Sequence, residues 1–160
     1  MRGMFPVIRR LAICLALLAG AAIAAQAIAQ DRIDMVSERS FDETVQRLQW
    51  NIGGHGLTVV SAMKYEEILG RKKDSSPRAV VFEVMRRDWA HRLLEADAAA
   101  GIVLPVRLYV FENAQGSTVV SYLRPGAFLE SAEDEKLRIF AQHLDETIGA
   151  IVRESTSKSP

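Results

Sequence analysis

Apolar and polar positions alternate along one stretch of the chain more strictly than anywhere else. Leu104, Val106, Leu108 and Val110 interleave with Pro105, Arg107, Tyr109 and Phe111. Alternation with a period of two predicts a strand with two unlike faces. The aliphatic face suits packing against helices, and the other carries Arg107, Tyr109 and Phe111. Asn113-Ala114-Gln115-Gly116 predicts a turn, because Asn and Gly adopt turn backbone angles at low cost. Ser117 to Leu123 is β-branched and aromatic and returns as a second strand. Arg124-Pro125-Gly126 ends it, since proline cannot donate to a ladder.

The remaining elements follow from period. Arg32 to Arg39 is a weak strand. Ser40 and Glu43 fit a capping box, and Phe41, Val45, Leu48 and Ile52 recur at helical spacing until Gly53, Gly54 and Gly56 stop the helix. Trp50 falls on the side opposite that stripe. It either lies over neighbouring polar stems or meets a partner. Leu57 to Tyr65 is a second strand, Glu66 to Gly70 a short helical turn, and Arg71 to Pro77 a basic polar loop. Arg78 to Val84 is nearly continuous in apolar residues, as in a central strand. A helix is predicted from Asp88, acting as its cap, to Ala99, with Trp89, Ala90, Leu93, Leu94 and Ala96 on its covered side. After the hairpin, Ser131 starts a last helix with Leu137, Phe140, Ala141, Leu144, Ile148 and Ile151 as its stripe. The order β-α-β-β-α-β-β-α has no strict βαβ alternation. It predicts an α+β fold, a mostly antiparallel sheet with helices packed on one face. The other face then carries Arg107, Tyr109 and Phe111. A large aromatic patch is rarely left bare, so a homodimer through the sheet or its edge is predicted.

The first residues belong to a different class. Arg2, Arg9 and Arg10 precede an apolar run from Leu11 to Ala24, and small residues then alternate up to Ala29. This is the pattern of a signal peptide, residues 1–29, with cleavage after Ala29 or after Ala27. The mature part is read as one domain, 30–154, with a flexible polar tail, 155–160, and its location as periplasmic. Cys14 is the only cysteine and leaves with the leader, so the mature chain has no thiol chemistry and no disulfide. The whole chain has 20 basic and 20 acidic residues; without the leader, 17 basic residues face 20 acidic ones, a net charge of −3. A mildly acidic domain is a poor nucleic-acid binder, and nothing predicts membrane attachment after cleavage.

No nucleophile elbow, P-loop, zinc-protease or dinucleotide motif occurs. His55, His91 and His143 lack metal-ligand spacing, and no metal or cofactor is predicted. The ligand-binding candidates are Arg107, Tyr109, Glu112 and Tyr122. Arg107 offers a planar fork for a carboxylate or phosphate, or else pairs with an acid across the sheet or dimer. Alternation puts Glu112 on the face opposite Arg107 and Tyr109.

Phe41-Asp42-Glu43-Thr44-Val45, Gly56-Leu57-Thr58-Val59, Val81-Phe82-Glu83-Val84, Leu104 to Glu112 and Tyr122-Leu123-Arg124-Pro125 occur in an order that resembles the DUF302 family, over about Phe41 to Val152. The resemblance implies this α+β fold, often as dimers, and no established activity. Relatives often have Cys-Asn-Pro where this chain has Met85-Arg86-Arg87, some have Cys where Val106 stands, and an acid is common near the end of the second strand, where this chain has Lys64. Thiol or metal chemistry therefore does not carry over. The reading is an exported domain that binds a small-molecule ligand or a partner at the sheet surface. Its rivals are an enzyme using Glu112 or a tyrosine as acid–base group, and a purely structural envelope dimer.

Overall fold

A computed structural model describes residues 31–72 and 77–158. The predicted leader with both cleavage positions, and the centre of the basic loop, lie outside the described residues. Contacts divide the chain after Arg32; Ile33–Pro160 forms one compact unit, and only Asp31 and Arg32 of the other are described.

Five strands form one sheet in the order β1-β5-β4-β3-β2, with β1 at Arg32–Val36, β2 at Thr58–Lys64, β3 at Ala79–Met85, β4 at Val106–Glu112 and β5 at Thr118–Leu123. The pairs β2–β3, β3–β4 and β4–β5 are antiparallel. The apolar β3 is thus an interior strand, paired on both sides and one place from the β2 edge, while β4 is at the centre. The alternation in β4 is realised in the register: Val80 faces Val110, Phe82 faces Leu108 and Val84 faces Val106. These residues join Val120 and Tyr122 of β5 on one sheet face, in a single core with the helices. Ala79, Val81 and Val119, on the other face, are buried but lie outside that core.

Helix α1 is Phe41–Gly54, α2 the single turn Tyr65–Ile68, α3 Arg87–Ala96 and α4 Glu135–Thr156. The capping box forms as predicted: the Glu43 amide donates to Ser40 Oγ, and the Ser40 amide donates to Glu43 Oε2 at 3.0 Å. The Ser40 hydroxyl first and the Ser40 amide next hold the Glu43 carboxyl below its usual range, with smaller help from the Arg39 and Lys158 charges. Phe41, Leu48 and Ile52 are buried, with Val45 packed against the core. Thr44 is also buried, because its hydroxyl returns to the Ser40 carbonyl at 2.8 Å and meets Ser37. Gly53 and Gly54 belong to the last helical turn. Gly56, at φ +75°, makes the left-handed turn that ends it. Trp50 stands 77% exposed.

Several boundaries differ from those predicted, each for a local reason. Helix α3 begins at Arg87, and Asp88 does not cap it: both of its carboxylate oxygens are taken by the Arg86 guanidinium, at 2.6 and 2.9 Å. The helix ends at Ala96, because Asp97 caps a separate 3-10 turn over Ala98–Val103. Only Trp89 and Leu93 of α3 are buried, and Leu94 is 57% exposed. A second 3-10 turn, Pro125–Leu129, occupies the segment before α4, and Asp134, not Ser131, caps that helix through the Lys136 amide at 2.8 Å. At the other end α4 continues through Ser155 and Thr156. The first two residues of the predicted tail are buried, because both hydroxyls return to helix carbonyls and Asn51 donates to Ser155 Oγ, whereas Ser157 and Lys158 are exposed.

Candidate functional site

The four residues singled out in the sequence divide between the two faces of the sheet. On the open face, Arg107 is 75% exposed along its side chain and pairs across the strands with Glu83, Nε to Oε1 at 3.6 Å. Tyr109 stacks on Phe111 with centroids 4.9 Å apart and planes 14° from parallel. Tyr65, at the start of α2, closes on Tyr109 at 5.7 Å. Three aromatic rings thus run across β4 toward the β2 edge, with Met63 exposed beside them. The run exists because Tyr109 and Phe111 are two apart on one strand, and because β2 ends where the chain turns into α2. Burial raises the Tyr109 hydroxyl above its ordinary value, with Tyr65 adding to it, so the ring stays neutral across the physiological range.

Glu112 and Tyr122 face the helices. Glu112 Oε2 accepts the Arg78 amide at 2.9 Å, and the Glu112 amide donates to the Arg78 carbonyl at 3.0 Å. That closes the end of the β3–β4 pair, a structural task. The Arg78 guanidinium forks onto Asp42 at 2.6 and 2.9 Å and lies over the Phe41 ring. Its Nε is 3.8 Å from Glu66 Oε1. Glu66 is nine-tenths buried, and its Oε2 has no hydrogen-bond partner. Tyr122 is 7% exposed in the core. Burial first, then the neighbouring Asp145 carboxylate, raise its hydroxyl, while Arg153 and Arg124 oppose the rise.

A second polar centre was not anticipated. Asp145 on α4 accepts the Gly126 amide at 2.8 Å and an Arg124 N–H at 3.3 Å, and the same guanidinium reaches Glu130 at 2.9 Å. This clamp fastens the Pro125–Leu129 turn to α4. Burial of Asp145 outweighs these bonds and raises its carboxyl above the usual range. Among the described residues no three His, Cys, Asp or Glu side chains come together as a metal centre. His55 instead bonds Glu154 at 3.0 Å, joining the end of α1 to α4.

With this geometry in view, a family model described as domain of unknown function DUF302 matches residues 33–155, almost the whole compact unit. The chain belongs to the DUF302 family. A crystal structure of an uncharacterized conserved DUF302 protein from Bacillus stearothermophilus superposes with a TM-score of 0.68 at 23% identity, covering 78% of this chain and 98% of that one. No curated protein matches. The likeness establishes the DUF302 fold and leaves activity to the residues. In this DUF302 domain the sequence pointed to Arg107 and Tyr109 because alternation exposes them. Tyr65 escaped, since the residue after a strand has no face assigned by alternation. Asp145 escaped because its partners lie 19 and 21 positions away, on another element.

Proposed function

We propose that this chain is an exported, periplasmic binding domain whose working surface is the open face of the sheet, and that a second copy of the chain is its first occupant. The observation that carries this reading is the ring series Tyr65–Tyr109–Phe111 on the face away from the core. Aromatic rings with some exposure are the residues that dominate interface energetics. Arg107 and Glu83 place both signs of charge side by side on this face, so a twofold contact of the patch with itself can pair charges rather than oppose them. Export rests on Arg2, Arg9, Arg10, the apolar run after them and the small residues at Ala27 and Ala29.

An enzyme that uses a tyrosine as base draws no support, since Tyr109 and Tyr122 are both shifted away from the working range of such a group. Glu112, held by the Arg78 amide, is committed to closing a strand pair. Native mass spectrometry and light scattering on residues 30–160, purified from a periplasmic fraction, test the reading. A dimer that becomes a folded monomer on Tyr109→Glu is the expected result. Added mass on the dimer that disappears on Arg107→Met would assign a ligand to the same face. A monodisperse monomer at micromolar concentration, or a chain retained in the cytoplasm, would overturn it. Arg107→Met separates two roles: loss of the dimer assigns Arg107 to the contact, and loss of ligand alone assigns it to a site.

A further inference from the structure

A concavity of about 860 Å³ lies away from the sheet, between α3 and the first half of α4. Small-molecule sites occupy roughly 300–1,000 Å³ and combine an apolar body with a few convergent polar groups. Here the apolar body is Leu137 and Phe140, both nearly buried, with Ile139 standing 60% exposed at the rim. Helical spacing makes this a single stripe of α4, since Lys136, Phe140 and His143 recur at intervals of four and three. The wall behind it is aromatic and tightly held. Trp89, fully buried, meets Phe140 edge-on at 6.4 Å and His143 edge-on at 6.3 Å, and its indole N–H has no acceptor.

The charges of the groove decide the class of ligand. The Arg92 guanidinium stands 5.8 Å from the centroid of Phe140, and neither it nor the Lys136 ammonium is engaged by a carboxylate in an ion pair among the described residues. Elsewhere in the domain Arg78, Arg86, Arg107, Arg124 and Arg138 each have a carboxylate partner. Of the acids in the groove, Asp134 is engaged by the Lys136 amide at the helix start, whereas Glu95 is uncommitted and opposes a second negative charge. We propose that the α3–α4 groove binds a small amphipathic monoanion, its apolar part over Leu137, Ile139 and Phe140 and its carboxylate-like head on Arg92 and Lys136. This site is independent of the sheet-face reading and can fail without it.

Octanoate is the probe, with octanol as its neutral counterpart. The chain has two tryptophans, so Trp50→Phe leaves Trp89, behind the groove, as the sole reporter. Titration followed by Trp89 fluorescence and by calorimetry is expected to show saturable 1:1 binding of octanoate. Arg92→Gln should weaken it roughly tenfold, as loss of a charge-assisted hydrogen bond does. Ile139→Glu should abolish it. Both positions are exposed, and circular dichroism checks that the variants fold. Arg107→Met, on the open sheet face, should leave binding unchanged. No saturable signal in either measurement, equal binding of octanol, or undiminished binding in both groove variants would overturn the proposal.

Discussion

Replacing Gly126 by alanine sets two opposed effects against each other in the clamp between the Pro125–Leu129 turn and α4. Alanine restricts the unfolded chain and stabilises a protein by about 0.4–1 kcal/mol where the native site accepts it. Here it does not. A Cβ at Gly126 would lie 2.6 Å from the Ala141 carbonyl oxygen and 2.6 Å from Asp145 Oδ2, where ordinary contact begins at 3.4 Å. Asp145 can swing aside, at the expense of the 2.8 Å bond from the Gly126 amide. The Ala141 carbonyl cannot follow, because it belongs to a helix whose neighbouring Phe140, Leu144 and Ile148 are in the core. Overpacking costs about 1–3 kcal/mol and a lost hydrogen bond about 0.5–1.5 kcal/mol. Steric cost therefore wins, and we expect Gly126→Ala to be destabilised by about 2 kcal/mol, roughly 5–8 °C in Tm. Gly53→Ala is the control: nothing lies within 4 Å of its Cβ and it is helical, so it should gain about 0.5–1 kcal/mol. Urea unfolding of residues 30–160, followed by circular dichroism, gives both values. A Gly126→Ala protein as stable as the wild type would refute the reasoning, since it would show that the turn can leave α4 freely.

Three further outcomes are expected. Ser40→Ala removes the cap of α1 and should lower stability by about 1 kcal/mol in the same urea experiment. Leu144→Ala, at a site with no exposure, should cost about 2–5 kcal/mol, and a loss below 1 kcal/mol would mean that α4 is loosely held. Asp145 holds its proton more tightly in the folded than in the unfolded chain. Its contribution is therefore complete below its ordinary pKa of 3.8 and is lost as pH rises through the higher folded value. The stability of wild type minus that of Asp145→Asn, which retains an acceptor for the Gly126 amide, should fall across that window; a flat or rising difference would contradict the burial of the carboxylate.

Much of this domain was legible as periodicity. The capping box at Ser40, the stripes of α1 and α4, the interior place of β3 and the two faces of β4 depend on residues within one element, where composition or a period of 3.6 or 2 gives the answer directly. The same logic correctly set Glu112 apart from Arg107 and Tyr109. It did not place Tyr122, because β5 is buried at five of its six positions and its run TVVSYL carries no alternation to read. Element ends were misplaced wherever an acid had a choice of partner, as when Arg86 took Asp88 and left Asp97 to start a new turn.

What the sequence by itself determined is the five strands, the helices between them, most of their faces and the family, because these rest on local spacing and on the order of short motifs. Tertiary structure alone decided that Tyr65 meets Tyr109, that Glu112 closes on Arg78 from 34 positions away, that Asp145 leaves no room for a side chain at Gly126, and that α3 and α4 part to form a groove. Each of these joins residues from different elements. Their meeting depends on strand register and on how each helix settles on the sheet, which are fixed by the packing of the whole core rather than by any local pattern.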